Sequence, residues 1–213
     1  MMRVTTLLLA LLVPSSVVAF SVNRREWIQA TTAVVPFALS NTAPAIAAPT
    51  TTTSWDDRVA GFTLQVPSSW TPSEQTLSDR RTLKLWMDPT DSQTFLFIAY
   101  TPVRDDFTSL GSFGSVDQVA AQTILPKGSL AGQDGVSARM LQAKSERQAY
   151  FFDYQQQVPG VPLTHLRTIF ALQQGATGGA GAVLVTITAQ TPEARYGELQ
   201  PLLDQIMESY AKV

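Results

Sequence analysis

The chain reads as an α+β domain, an antiparallel β-sheet flanked by helices, and three observations carry that reading. Apolar and polar residues alternate at period two over several separate stretches, the mark of strands with one buried face. Two other stretches repeat their apolar residues at spacings of three and four, the mark of amphipathic helices. The last period-two stretches are joined by short links, which favours an antiparallel meander over crossovers. At 213 residues, with 45% hydrophobic and 15% charged, the chain suits one domain with a substantial core plus a dispensable segment.

The first strand is Phe62 to Val66, where Phe62, Leu64 and Val66 alternate with Thr63 and Gln65. Pro67 ends it, because proline has no N–H to give to a ladder. A turn at Trp70-Thr71-Pro72 follows, then a strand from Thr82 to Met87 closed by the turn Asp88-Pro89-Thr90-Asp91, then a strand from Thr94 to Tyr100 ended by Pro102. The carboxylates of Asp88 and Asp91 have the chemistry to hold calcium weakly, but in a proline turn their usual task is to accept backbone N–H groups.

Ser115-Val116-Asp117-Gln118 forms a capping box after the loop Gly111 to Gly114. Val116, Val119, Ala120, Thr123 and Ile124 then share one helical face, and Pro126 is expected to end the helix. The glycine-rich stretch Gly128 to Gly135 lacks the Lys-Ser/Thr of a phosphate cradle and reads as a connector. Four strands follow at Ser137 to Glu146, Gln148 to Gln157, Leu163 to Gln173 and Ala182 to Gln190. On the second of these, Tyr150, Phe152 and Tyr154 share one face while Phe151 and Asp153 share the other; an exposed Phe151 would mark a partner surface. Thr191 is expected to cap a terminal helix with Pro192 at its first position, and Tyr196, Leu199, Leu203, Ile206 and Tyr210 form its buried stripe. Pro201 lies inside that helix and predicts a kink near Gly197.

Ahead of the domain stand two address labels in tandem. Arg3, the apolar run Val4 to Val13 and the small residues ending at Ala19 have the layout of a secretory signal peptide over residues 1–19. Residues 20–47 hold Arg24-Arg25, a second apolar stretch and the small-residue end Ala45-Ile46-Ala47, the layout of a twin-arginine signal. Cleavage after Ala47 removes three of the 15 basic and one of the 17 acidic residues and leaves a net charge of -4. Residues 48–54 are expected as a flexible tail and 55–213 as the folded domain, with no membrane span in the mature protein.

Composition also excludes functions. The chain has no cysteine, so disulfides, thiolate metal sites and cysteine nucleophiles are out. A formal charge of -2 with scattered Lys and Arg argues against nucleic acid as a partner. No Gly-x-Ser-x-Gly, His-Glu-x-x-His or Gly-x-Gly-x-x-Gly motif is present, and the one histidine, His165, lies on a strand, where its ordinary role is a hydrogen-bonded edge residue.

Four places together resemble the PsbP family of thylakoid-lumen proteins. They are Gly61-Phe62 to Trp70; Leu110-Gly111-Ser112-Phe113-Gly114-Ser115; Tyr150-Phe151-Phe152-Asp153-Tyr154; and Pro192-Glu193-Ala194-Arg195-Tyr196 leading to Ser209-Tyr210. The order of the two labels likewise resembles the targeting of lumenal proteins in complex plastids of algae. The resemblance implies a non-enzymatic extrinsic protein, peripheral on the thylakoid membrane, that works with photosystem II or another thylakoid complex. Its role there would be to support the oxygen-evolving complex or photosystem assembly. It further implies a divalent ion, Ca, Mn or Zn, held by His165 and Glu193. Docking would fall to the cations Arg80, Arg81 and Lys84 or to Phe151. The short tail and acidic balance depart from the Lys-rich extrinsic subunit and favour an auxiliary or assembly factor. Two other readings stand beside this one, a lumenal enzyme using His165 with a nearby acid and a general interaction module of the Mog1-like fold.

Overall fold

A computed structural model describes residues 51–76, 82–104, 106–128, 133–174 and 181–213. In chain order these form β1 (Thr52–Asp57), β2 (Phe62–Pro67), β3 (Thr71–Thr76), β4 (Thr82–Met87), β5 (Phe95–Pro102) and a short 3-10 turn at Leu110–Phe113. A helical stretch comes next: α1 (Val116–Val119), a π turn at Ala120–Ile124 and α2 (Leu125–Gly128). Then come β6 (Ser137–Glu146), β7 (Ala149–Gln157), β8 (Thr164–Gln174), β9 (Ala182–Pro192), α3 (Glu193–Glu208) and β10 (Ala211–Lys212).

The strands form a seven-stranded sheet in the order β3-β4-β5-β9-β8-β7-β6 and a three-stranded sheet in the order β1-β2-β10. Every pairing among the described residues is antiparallel. The large sheet is two meanders, β3 to β5 and β6 to β9, joined where β5 lies against β9. One face buries Tyr150, Phe152, Tyr154, Leu166, Phe170 and Leu184 against Val119, Ala120 and Ile124 of the first helical stretch. The other face buries Phe151, Ile169, Val185 and Ile187 against β2 and against Leu203, Ile206 and Met207 of α3. Central β8 and β9 are therefore covered on both faces, and the stretches Ile169 to Leu172 of β8 and Ala182 to Val185 of β9 run continuously apolar.

The α+β class and the terminal meander are as expected, and the differences are local. β1, β3 and β10 were not legible. Their sequences TTSWDD, TPSEQT and AK lack apolar alternation, and they are strands because a neighbouring ladder takes up their backbone groups. Residues 52–54, expected within the tail, belong to β1; Ser68 donates its N–H to Thr51 O at 2.9 Å and Gln205 Nε2 donates to Thr52 Oγ1 at 2.9 Å. Pro126 does not end the first helical stretch. The π turn, in which Leu125 N–H bonds to Ala120 O, widens the register just before it, so the proline ring meets less crowding from the turn behind. Thr191 is not the cap of α3 but a residue of β9, and its hydroxyl lies 2.9 Å from that of Thr94 in the core.

Two local devices fix the ends of elements. Ser115 and Gln118 form the capping box in full, and Gly114 at φ +109° makes room for it, since a Cβ there would stand 2.7 Å from Gln118 Oε1. The β6–β7 turn places Arg147 and Gln148 at positive φ (49° and 58°), an uncommon backbone for non-glycine residues. The tertiary structure holds it: Arg147 donates to Glu208 O at the end of α3 and its guanidinium lies 4.8 Å from the Phe151 ring.

Buried phenols give a pH prediction. Burial pushes Tyr210 up to about 12, against a hydrogen bond from Gln173 that works the other way, and burial also raises Tyr154. An unfolded phenol titrates near about 10, so the stability that Tyr210 contributes is complete below that pH and is lost as pH rises through the folded value. Unfolding midpoints measured by urea should fall steadily over this alkaline window, and a Tyr210→Phe variant should show a shallower decline.

Candidate functional site

The side chains with chemistry gather on the α3 face of the large sheet. Because side chains alternate along a strand, His165 and Arg167 of β8 point to the same face as Phe151 and Asp153 of β7. The register sets His165 opposite Gln155 on one side and Thr191 on the other. The chain then leaves β9 directly into α3, with Glu193 N–H bonded to Leu163 O at 2.7 Å, and this puts the Glu193 carboxylate beside the imidazole.

His165 is 3% exposed. Its Nε2 lies 2.6 Å from Asp153 Oδ1, and its Nδ1 lies 2.8 Å from Glu193 Oε2. The Tyr196 ring, one turn into α3, stacks on the imidazole at 3.4 Å between centroids and 6° between planes. Arg167 stands 3.9 Å from Asp153 and pairs with Asp204 of α3. Burial and then the Asp153 charge push the Tyr196 phenol up. His165 is therefore not an edge residue, and the sequence reading missed Asp153, Arg167 and Asp204. A signal was present for Asp153, which was assigned to its correct face, but only cross-strand register tells which residue it meets.

The expected ligand pair His165 and Glu193 does come together, yet the donor set does not fit a resident divalent ion. Both ring nitrogens already face carboxylates, on opposite edges of the ring, so the two acids cannot close on one ion together. The guanidinium of Arg167 adds a cation on the Asp153 side. Among the described residues no group of three His, Cys, Asp or Glu is arranged to hold a metal.

Two more clusters bear on expected sites. Lys84 is not a free docking cation: its Nζ lies 3.7 Å from buried Asp57, 4.8 Å over the Trp55 ring and 5.6 Å from the Tyr100 ring. Asp57 also accepts from Ala60 N–H at 2.9 Å and from Tyr100 Oη at 2.5 Å; burial and then that bond push the phenol far above its ordinary range. Phe151 is 6% exposed, packed edge-on against Tyr210 in the core, and offers no partner surface. At the β4–β5 turn, Asp88 accepts from Thr90 N–H and Asp91 from Gln93 N–H, and Arg195 of α3 reaches both carboxylates at 3.5 and 2.8 Å. Burial acts to raise Asp91, but the Gln93 N–H, the Thr94 hydroxyl and Arg195 outweigh it and hold the carboxyl below its ordinary range. Arg80, Arg81 and the targeting residues Ala19, Arg24, Arg25, Ala45 and Ala47 lie outside the described residues.

An antiparallel sheet with helical elements packed on each face defines a small α+β domain. The particular family follows from comparison: the PsbP family model matches residues 50–212, and the chain belongs to that family. It is 23% identical over 158 residues to PsbP domain-containing protein 3, chloroplastic, of Arabidopsis thaliana, covering 73% of this chain and 62% of that relative's length. The solution structure of cyanobacterial PsbP (CyanoP) from Synechocystis sp. PCC 6803 superposes with a TM-score of 0.59 at 16% identity, over 78% of this chain and 95% of that one. That likeness is one of fold.

Proposed function

We propose that the protein is a non-enzymatic auxiliary factor of the plastid thylakoid lumen, peripheral on the membrane, that works with photosystem II or another thylakoid complex in assembly or in support of oxygen evolution. The observation that carries this reading is the family match over residues 50–212, and the two stretches before it that have the layout of export signals support it. The chloroplastic relative agrees with a plastid address. Among the described residues no helix is long and apolar enough to cross a membrane, which agrees with peripheral attachment. The enzyme reading finds no support, since His165 is buried, both its nitrogens are engaged and Tyr196 covers its face.

Affinity purification of the tagged protein from thylakoids, followed by mass spectrometry, tests the partner. Recovery of photosystem II subunits or their assembly intermediates is the expected result, and a partner set without any thylakoid complex refutes it. The addresses are tested apart from this. Replacing Arg24 and Arg25 by lysine keeps the charge but loses the guanidinium pair, and the double variant should stop in the stroma. Normal lumenal accumulation of that variant would rule the signal out.

Attachment rests on Arg80 and Arg81, because Lys84 and Phe151 are spent inside the fold. Such a contact is salt-sensitive: at 1 M salt the Debye length shrinks to about 3 Å, enough to free a protein held by exposed charges. Washing inside-out thylakoid vesicles at that strength should release the wild type, and the Arg80→Glu/Arg81→Glu variant should fail to bind at low salt. Retention of both through the wash would mean an apolar contact elsewhere.

A further inference from the structure

One face of the large sheet meets two different surroundings. Phe152 and Phe170 of this face lie under the first helical stretch and are 2% and 1% exposed. The same face continues across β9, and there it presents Phe95, Phe97 and Ala99 of β5 paired with Met87, Leu85 and Leu83 of β4. All six are only half-buried, and none belongs to either core cluster. The boundary is sharp: Thr188 of β9 is 3% exposed, while Phe97, directly opposite it, is half-buried. An outward sheet face in water is ordinarily polar, so this contiguous apolar strip marks a contact surface.

We propose that the strip is the docking site for one amphipathic helix of a partner protein, laid on the same sheet face that takes the chain's own first helical stretch. Its backbone chemistry excludes an extended segment. β4 is paired on both sides, with β3 and β5, and β5 likewise with β4 and β9. A strand laid on their face would leave its own N–H and C=O groups unmet, whereas a helix bonds its own. Charge sets the partner's stripe. Glu74 and Lys84 share the opposite face with Ile98, so β3, β4 and β5 turn no charged residue to this side. The stripe that contacts it is therefore apolar, because a charge buried there would go unpaired. Area decides between a helix and a second copy. Three strands about 4.8 Å apart and six residues long make a strip of about 14 by 20 Å, near 300 Å². A stable contact between two copies takes about 800 Å² from each, whereas a helix about 10 Å across and about 13 residues long has this footprint. On such an area the contact is transient, and it holds whichever thylakoid complex the protein meets.

The probe is a synthetic helical peptide of about four turns with leucines spaced three and four apart, titrated into the 15N-labelled full chain. Amide shifts should concentrate on residues 83–87 and 95–99, and a scrambled peptide of the same composition should leave them unmoved. Leu85→Thr/Phe97→Thr, in which threonine keeps the strand preference, should weaken binding roughly tenfold or more. Should that variant fold poorly, the map on the wild type decides by itself. Shifts confined to other residues, or equal shifts from both peptides, overturn the proposal. Two further results do so as well. A concentration-dependent dimer that disappears in the variant assigns the strip to a second copy. Shifts of the same amides by vesicles of neutral lipid, with none from the peptide, assign it to a membrane surface.

Discussion

Phe62→Ala should lower the stability of the domain by about 3–5 kcal/mol, the range for deleting a fully buried aromatic side chain. Phe62 is 0% exposed at the centre of the small sheet, and its ring meets Trp55 at 5.6 Å and Tyr210 at 5.8 Å. It is thus the point where β1, β2 and Tyr210, two residues past the end of α3, share one contact, and the cavity left by alanine cannot be filled from one side alone. Domains of this size hold about 5–15 kcal/mol in total, so the variant should unfold at a much lower urea concentration with an unchanged slope. Val59→Ala, at a side chain 71% exposed, should stay within about 0.5 kcal/mol of wild type. Similar midpoints for the two variants would mean that the small sheet does not unfold together with the large one.

The second large effect is expected at the acidic pair Asp56-Asp57, whose members differ greatly in consequence. Asp57→Ala leaves the Ala60 N–H, the Tyr100 hydroxyl and the Lys84 ammonium without their shared acceptor, at a cost of about 2–4 kcal/mol. Asp56 is exposed and, among the described residues, its ion pair is with Arg58, whose side chain is 90% exposed, so Asp56→Ala should change stability by less than about 0.5 kcal/mol. Spectroscopic titration adds a readout that packing alone would not move. Loss of the Asp57 carboxylate removes the second cause of the raised Tyr100 phenol, so in Asp57→Asn this phenol should ionise at a lower pH than in wild type. An unchanged tyrosine titration in that variant would show that burial accounts for the whole shift.

Local sequence was enough to determine which residues share a face and which face is apolar. The alternation in Phe62 to Val66, the split of Tyr150, Phe152 and Tyr154 from Phe151 and Asp153, the capping box at Ser115 and Gln118 and the positions Leu203 and Ile206 of the α3 stripe recur in the structure, because each depends on neighbours within a turn or a strand. Tyr196 and Leu199 are only partly buried, and Tyr210 lies beyond the end of α3. Alternation does not say what covers a face. Phe151 could have been a docking residue had its face been bare, but α3 and β2 lie over it. Lys84 looked like part of a basic patch because its chain neighbours are cationic, whereas its partners Asp57 and Tyr100 arrive from β1 and β5. β1, β3 and β10 carry no pattern of their own and become strands only by lending backbone groups to a ladder already formed. His165 shows the limit most plainly: it meets Asp153 across 12 residues of chain and Glu193 across 28, and only the register of β7 with β8 and the exit of β9 into α3 bring those carboxylates to the two edges of one ring.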